Sequence, residues 1–98
     1  MQFTVYKNPS GNGYLLDLQA NVNDNFTTRV VAPLLPIKDV PHYASSLNPV
    51  FEIEDNRVIM ATQGMASVPS HILKHAVATL EHKRTEIVAA LDLLFQGF

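Results

Sequence analysis

The chain has 98 residues, 47% of them hydrophobic and 16% charged, with no cysteine and a formal net charge of −2. Disulfide frameworks, thiolate nucleophiles and cysteine-based zinc sites are therefore excluded, and the scattered lysines and arginines give no electrostatic footprint for a nucleic-acid backbone. A domain this small buries only about two-thirds of its unfolded surface, so a single unit over residues 1–98 completed by a second copy or a partner is expected.

Residues 2–7 alternate, with Phe3 and Val5 on one side and Gln2, Thr4 and Tyr6 on the other, which predicts a half-buried first strand. The turn-forming run Asn8-Pro9-Ser10-Gly11-Asn12-Gly13 leads into an apolar stretch from Tyr14 to Ala20, so the two form a loose hairpin. Arg29-Val30-Val31-Ala32 is short and β-branched, and a third strand is expected to end at Pro33. From Leu34 to Pro49, Pro36, Pro41 and Pro49 predict a long irregular connection. Val50 to Glu54 and Arg57 to Met60 flank Asp55-Asn56 as a second hairpin, with Glu52 and Glu54 pointing to solvent. Met65 to Val68 extends the sheet until Pro69.

Beyond Pro69 the period becomes helical. Leu80, Ile87, Leu91 and Leu94 share one face, which predicts a helix from about Thr79 to Phe95 terminated by Gly97. The apolar stretch Ile87 to Phe95 is broken by Asp92 and is too short to span a bilayer. The N-terminus lacks a basic segment followed by a long apolar one, so a soluble cytoplasmic protein is expected.

Four histidines invite a metal reading. On one helix over residues 71–82, His71, His75 and His82 would share a face, but the nearby carboxylates are only Glu81 and Glu86, and a solvated polar face is the simpler reading. Ser67, a histidine and Asp55 could form a triad on paper, yet no Gly-x-Ser-x-Gly elbow surrounds any serine. Gly11 and Gly13 lack the lysine and helix of a phosphate loop. No catalytic residue, metal or cofactor is expected. Two features remain: the small, soft run from Met60 and Met65 to Pro69, which suits close packing on another chain, and the apolar helix ending in Phe95-Gln96-Gly97-Phe98.

Five segments occur in order along the chain: Met1-Gln2-Phe3-Thr4-Val5-Tyr6, Asp17-Leu18-Gln19, Arg29-Val30-Val31-Ala32-Pro33-Leu34, Met65-Ala66-Ser67-Val68-Pro69 and Phe95-Gln96-Gly97-Phe98. In these the sequence resembles the CcdB family of toxins. The resemblance implies an α+β, mainly β fold: an SH3-like small β-barrel with a C-terminal α-helix, assembled as a homodimer. It implies a non-enzymatic toxin of a toxin–antitoxin pair that binds the DNA gyrase A subunit and traps the cleaved-DNA complex. A CcdA-like antitoxin neutralises such toxins with a segment that orders on binding, and supplies the DNA contacts when the pair represses its own operon.

By position, the resemblance puts gyrase binding on Val22, Asn23, Asp92, Gln96, Gly97 and Phe98. It puts the dimer interface on Ser67, Val68, Pro69, Leu91 and Leu94. Gln96 stands where well-known members of the family carry tryptophan, and Phe98 where they carry isoleucine. A tryptophan can stack on an arginine for up to about 2 kcal/mol when desolvated, whereas glutamine offers hydrogen bonds only. Two alternatives to gyrase poisoning follow: a MazF-type ribonuclease toxin, disfavoured by the few basic residues and the lack of an acid/base pair, and an antitoxin-binding homologue without toxicity.

Overall fold

The computed structural model describes residues 1–22 and 26–97. Seven strands form one curled, half-barrel sheet: β1 (Thr4–Lys7), β2 (Tyr14–Asp17), β3 (Thr28–Pro36), β4 (Val50–Ile53), β5 (Asn56–Met60), β6 (Ala66–Pro69) and β7 (Ala76–Thr79). Their order is β4-β5-β3-β2-β1-β7, with β6 also paired to β3. The only α-helix among the described residues, α1 (Arg84–Gln96), follows a 3-10 turn at Glu81–Lys83. The result is the mainly β fold with a C-terminal helix that the sequence predicts.

The period-2 pattern of β1 survives, since Val5 is buried opposite Leu16 of β2. Phe3 is buried just before β1 with φ +65°, a left-handed conformation that a bulky side chain rarely adopts. It is held there on both main-chain sides: its N–H donates to Asp17 O at 2.6 Å and its carbonyl accepts from Leu80 N at 2.8 Å. Arg84 at the start of α1 lies over the Phe3 ring, 5.3 Å from its centroid. The first strand and the helix are thereby packed on the same residue. Ile87 and Ala90 of α1 join Phe3, Leu16, Leu34, Phe51, Ile53, Val58 and Met60 in the core.

The third strand does not end at Pro33 but runs to Pro36. Pro33 O accepts from Ala61 N at 2.8 Å, so Pro33 turns its main-chain groups away from β2. On that side the ladder changes partner, from β6 opposite residues 28–31 to β5 opposite residues 34–36. The missing N–H of a proline falls at this handover, where it breaks no regular pairing. The irregular connection correspondingly starts later, after a 3-10 turn at Ile37–Asp39. Asn48 then pins the connection: its Nδ2 donates to Met60 O at 3.0 Å and Gln63 Oε1 at 2.7 Å, and its Oδ1 accepts from Ala44 N at 3.2 Å.

The β4–β5 hairpin forms as predicted, shifted by one residue at its turn. Ile53 pairs with Asn56, so the turn residues are Glu54 and Asp55, both at positive φ, as a two-residue type I′ loop requires. Asn56 is kept in the strand by its side chain, whose Nδ2 donates to Tyr14 Oη at 2.9 Å and Glu54 O at 3.2 Å. Glu52 and Glu54 are exposed, as expected.

The helix starts later than Thr79. Residues 76–79 are strand β7, which pairs with β1 along its length. Thr79 Oγ1 accepts from Glu81 N at 3.2 Å and stabilises the turn that separates strand from helix. Leu80 is buried but precedes the helix, while Ile87, Leu91 and Leu94 lie along its inner face. The same strand dismantles the histidine stripe. His71 belongs to a 3-10 turn (Ser70–Ile72), His75 precedes β7 and His82 follows it, so no helix aligns them.

Candidate functional site

The end of α1 is a surface built by one glycine. Gly97 has φ +80° and its N–H donates to Leu93 O at 2.9 Å, which closes the helix in the left-handed conformation that glycine adopts without strain. Asp92 and Gln96, four residues apart, share one exposed face of the final turn. Beside them Phe95 is 71% exposed, a large apolar side chain at the tip. Phe98 lies outside the described residues.

Val22, between β2 and β3, is 83% exposed. Asn23 lies outside the described residues. No hydrogen bond or ion pair among the described residues joins Val22 to Asp92 or Gln96, so the two halves of the expected gyrase surface are each presented but not tied together. The segment carrying Val22 is anchored instead to the N-terminus, where Gln2 N donates to Asn21 Oδ1 at 3.0 Å and Gln2 Nε2 donates to Leu18 O at 3.2 Å. Met1 is largely exposed and Phe26 half exposed, and both line one shallow, mainly polar cleft with Tyr6, Asp17, Arg29 and Leu73. Sequence reading missed this cleft, for which Phe26 in a mostly polar stretch is the one local signal.

The second group of expected residues centres on β6. Among the described residues its one sheet partner is β3. Ser70 N donates to Thr27 O at 2.8 Å, which sets the alternation of the ladder: Ala66 and Val68 turn their main-chain groups to β3, whereas Ser67 and Pro69 turn theirs outward. Its other edge is unpaired among the described residues, and Ala66, Ser67 and Pro69 are exposed. Leu91 and Leu94 are half-buried on α1, and Leu91 packs on the core. The helix touches the 3-10 turn Thr62–Gly64, which leads directly into β6, so strand and helix share one neighbour.

Electrostatically the described residues hold one buried ion pair. Arg29 lies on β3 and Asp17 at the end of β2, and Arg29 Nη2 also donates to Gln19 O at 2.8 Å. The pair joins the two strands that flank the Val22 segment. Tyr14 donates to Glu54 Oε1 at 3.0 Å; burial, with smaller contributions from Glu54, raises its pKa above the ordinary value, against the hydrogen bond from Asn56.

Ser67 sits on edge strand β6 and Asp55 at the tip of the β4–β5 hairpin, and among the described residues no hydrogen bond links Ser67 to a histidine. Among the described residues no group of three His, Cys, Asp or Glu is placed to hold a metal ion, and no helix is long and apolar enough to cross a membrane. The arrangement offers surfaces and an open strand edge, which suit binding. Compared with known families, residues 2–97 match the family model described as CcdB protein.

Proposed function

The chain belongs to the CcdB family, the toxins of toxin–antitoxin pairs, and from that premise we propose that it binds the DNA gyrase A subunit and traps the cleaved-DNA complex. The observation that carries this reading is the exposed, Gly97-terminated end of α1 within a chain matched from residue 2 to 97. In the proposal Asp92, Gln96, Gly97 and Phe98 form the gripping tip, and Val22 and Asn23 contribute from the segment between β2 and β3. The protein acts as a single soluble cytoplasmic domain without catalysis, by holding gyrase in a state it would otherwise leave.

Two copies associate through Ser67, Val68 and Pro69 with Leu91 and Leu94. The free edge of β6, and its proximity to α1 through the Thr62–Gly64 turn, support this surface. A CcdA-like antitoxin neutralises the dimer, and DNA contacts in operon repression come from the antitoxin. Gln96, in place of tryptophan, shifts the burden of apolar contact to Phe95 and Phe98. Expression in a host with normal gyrase should arrest growth, and a gyrase A-subunit mutation that removes toxin binding should restore it. Growth arrest that persists in such a mutant would exclude gyrase as the target, and RNA cleavage by the purified protein would favour the ribonuclease alternative. Absence of arrest would identify a non-toxic antitoxin-binding homologue.

A further inference from the structure

Strand β4 is the last strand on its side of the sheet. Met60 N donates to Pro49 O at 3.0 Å, which sets the ladder so that Pro49, Phe51 and Ile53 face β5 while Val50 and Glu52 turn their N–H and C=O groups outward. Those outward groups make no hydrogen bond among the described residues. Proteins usually cover or blunt such an edge, because an unpaired row of donors and acceptors is a template for another strand. Here α1 runs beside the edge and leaves space along it.

Two cavities of opposite character flank the edge and share Val50. One, about 570 Å³, is walled by Pro49, Val50, Ala89 and Leu93, with Glu86 as its one charged group, and is mainly apolar. The other, about 400 Å³, is walled by Arg57, His82 and Lys83, with Glu52 as its one carboxylate. Arg57 forms no ion pair among the described residues, and Lys83 Nζ lies 3.8 Å from Glu86 Oε1, at the outer limit of a pair. Cations are thus available at one end of the edge and apolar surface at the other.

We propose that this edge docks an extended peptide segment of a partner protein, which adds a strand to β4. It sets an apolar side chain into the Ala89–Leu93 cavity and a carboxylate side chain against Arg57 and Lys83. Main-chain hydrogen bonds to Val50 and Glu52 supply affinity, and the two cavities supply specificity, because side chains two residues apart on a strand face the same way about 7 Å apart. The Asn48 network fixes the connection that forms the far wall of the apolar cavity, so the groove is formed before a partner arrives. The inference does not rest on gyrase poisoning and stands or falls separately from it.

The probe is a random dodecapeptide library selected on the full-length protein, followed by residue-resolved amide exchange with the enriched peptides. The expected peptides pair an acidic residue with an apolar one two positions away. Their binding should slow exchange of the Val50 and Glu52 amides at least tenfold and leave Phe51 and Ile53, already bonded to β5, unchanged. Arg57→Gln and Ala89→Arg, both at exposed positions, should each weaken binding about tenfold with unchanged circular dichroism. Failure to enrich any peptide, unchanged Val50 and Glu52 exchange on binding, or unchanged affinity in both variants would overturn the proposal. So would concentration-dependent protection of these amides without peptide, which would assign the edge to a second copy of the chain.

Discussion

Arg29 Nε lies 3.0 Å from Asp17 Oδ2 while Nη2 lies 3.1 Å from Oδ1, a two-pronged pair between β3 and β2 that is almost wholly buried. Removing one partner of such a pair leaves the other charge without compensation, a loss of about 3–5 kcal/mol. Asp17→Asn should therefore lower the unfolding free energy by that amount in urea titration. The double change Asp17→Leu with Arg29→Met should cost less than the single one.

Gly13 closes the first hairpin at φ +87°, and a Cβ there would collide with the Leu34 carbonyl oxygen. Both the conformation and the space oppose any side chain. Gly13→Ala should destabilise the fold by more than about 1 kcal/mol, seen as a lower denaturation midpoint. Gly11→Ala, with open space around it, should change the midpoint far less.

Tyr14 titrates above its ordinary value chiefly because it is buried. Its neutral form is the one the fold favours, so this contribution is fully present below the unfolded-state pKa near 10. As the pH rises past that value the unfolded chain releases the proton first, and stability falls until the folded-state pKa is passed. Denaturation midpoints of the wild-type protein should drop across that alkaline window. Tyr14→Phe should flatten the drop while losing the Glu54 and Asn56 hydrogen bonds at neutral pH.

Phe95 and Ile87 lie on the same helix and should separate folding from function. Ile87 is fully buried, so Ile87→Ala should cost about 2–5 kcal/mol. Phe95 is largely exposed, and Phe95→Ser should leave stability within about 0.5 kcal/mol. On the gyrase reading, Phe95→Ser should nonetheless weaken gyrase binding, measured by calorimetry with the purified A subunit.

The β4–β5 hairpin was legible because two strand-like runs around a short polar turn are a local signal, and only the turn register was missed, since Asn56 is claimed by Tyr14 across the fold. Strand β7 was not legible: Ala76-Val77-Ala78-Thr79 carries little pattern of its own and becomes a strand through pairing with β1, far earlier in the chain. The three histidines share a face only on a hypothetical helix over residues 71–82, and the structure separates them. Pro33 ends a strand by the usual rule, yet here it falls where β3 exchanges β6 for β5. The helix tip was readable from Gly97 and the apolar run before it. The exposed Met1 and Phe26 were not, because the cleft they line is assembled from distant segments.

The proposed grip of the α1 end on gyrase is decided by removing residues 96–98 and assaying gyrase-mediated DNA cleavage with purified proteins. The full chain should accumulate cleaved DNA, and the shortened chain should not, while keeping its circular dichroism and antitoxin binding. Undiminished accumulation of cleaved DNA by the shortened chain would place the gyrase contact elsewhere on the protein.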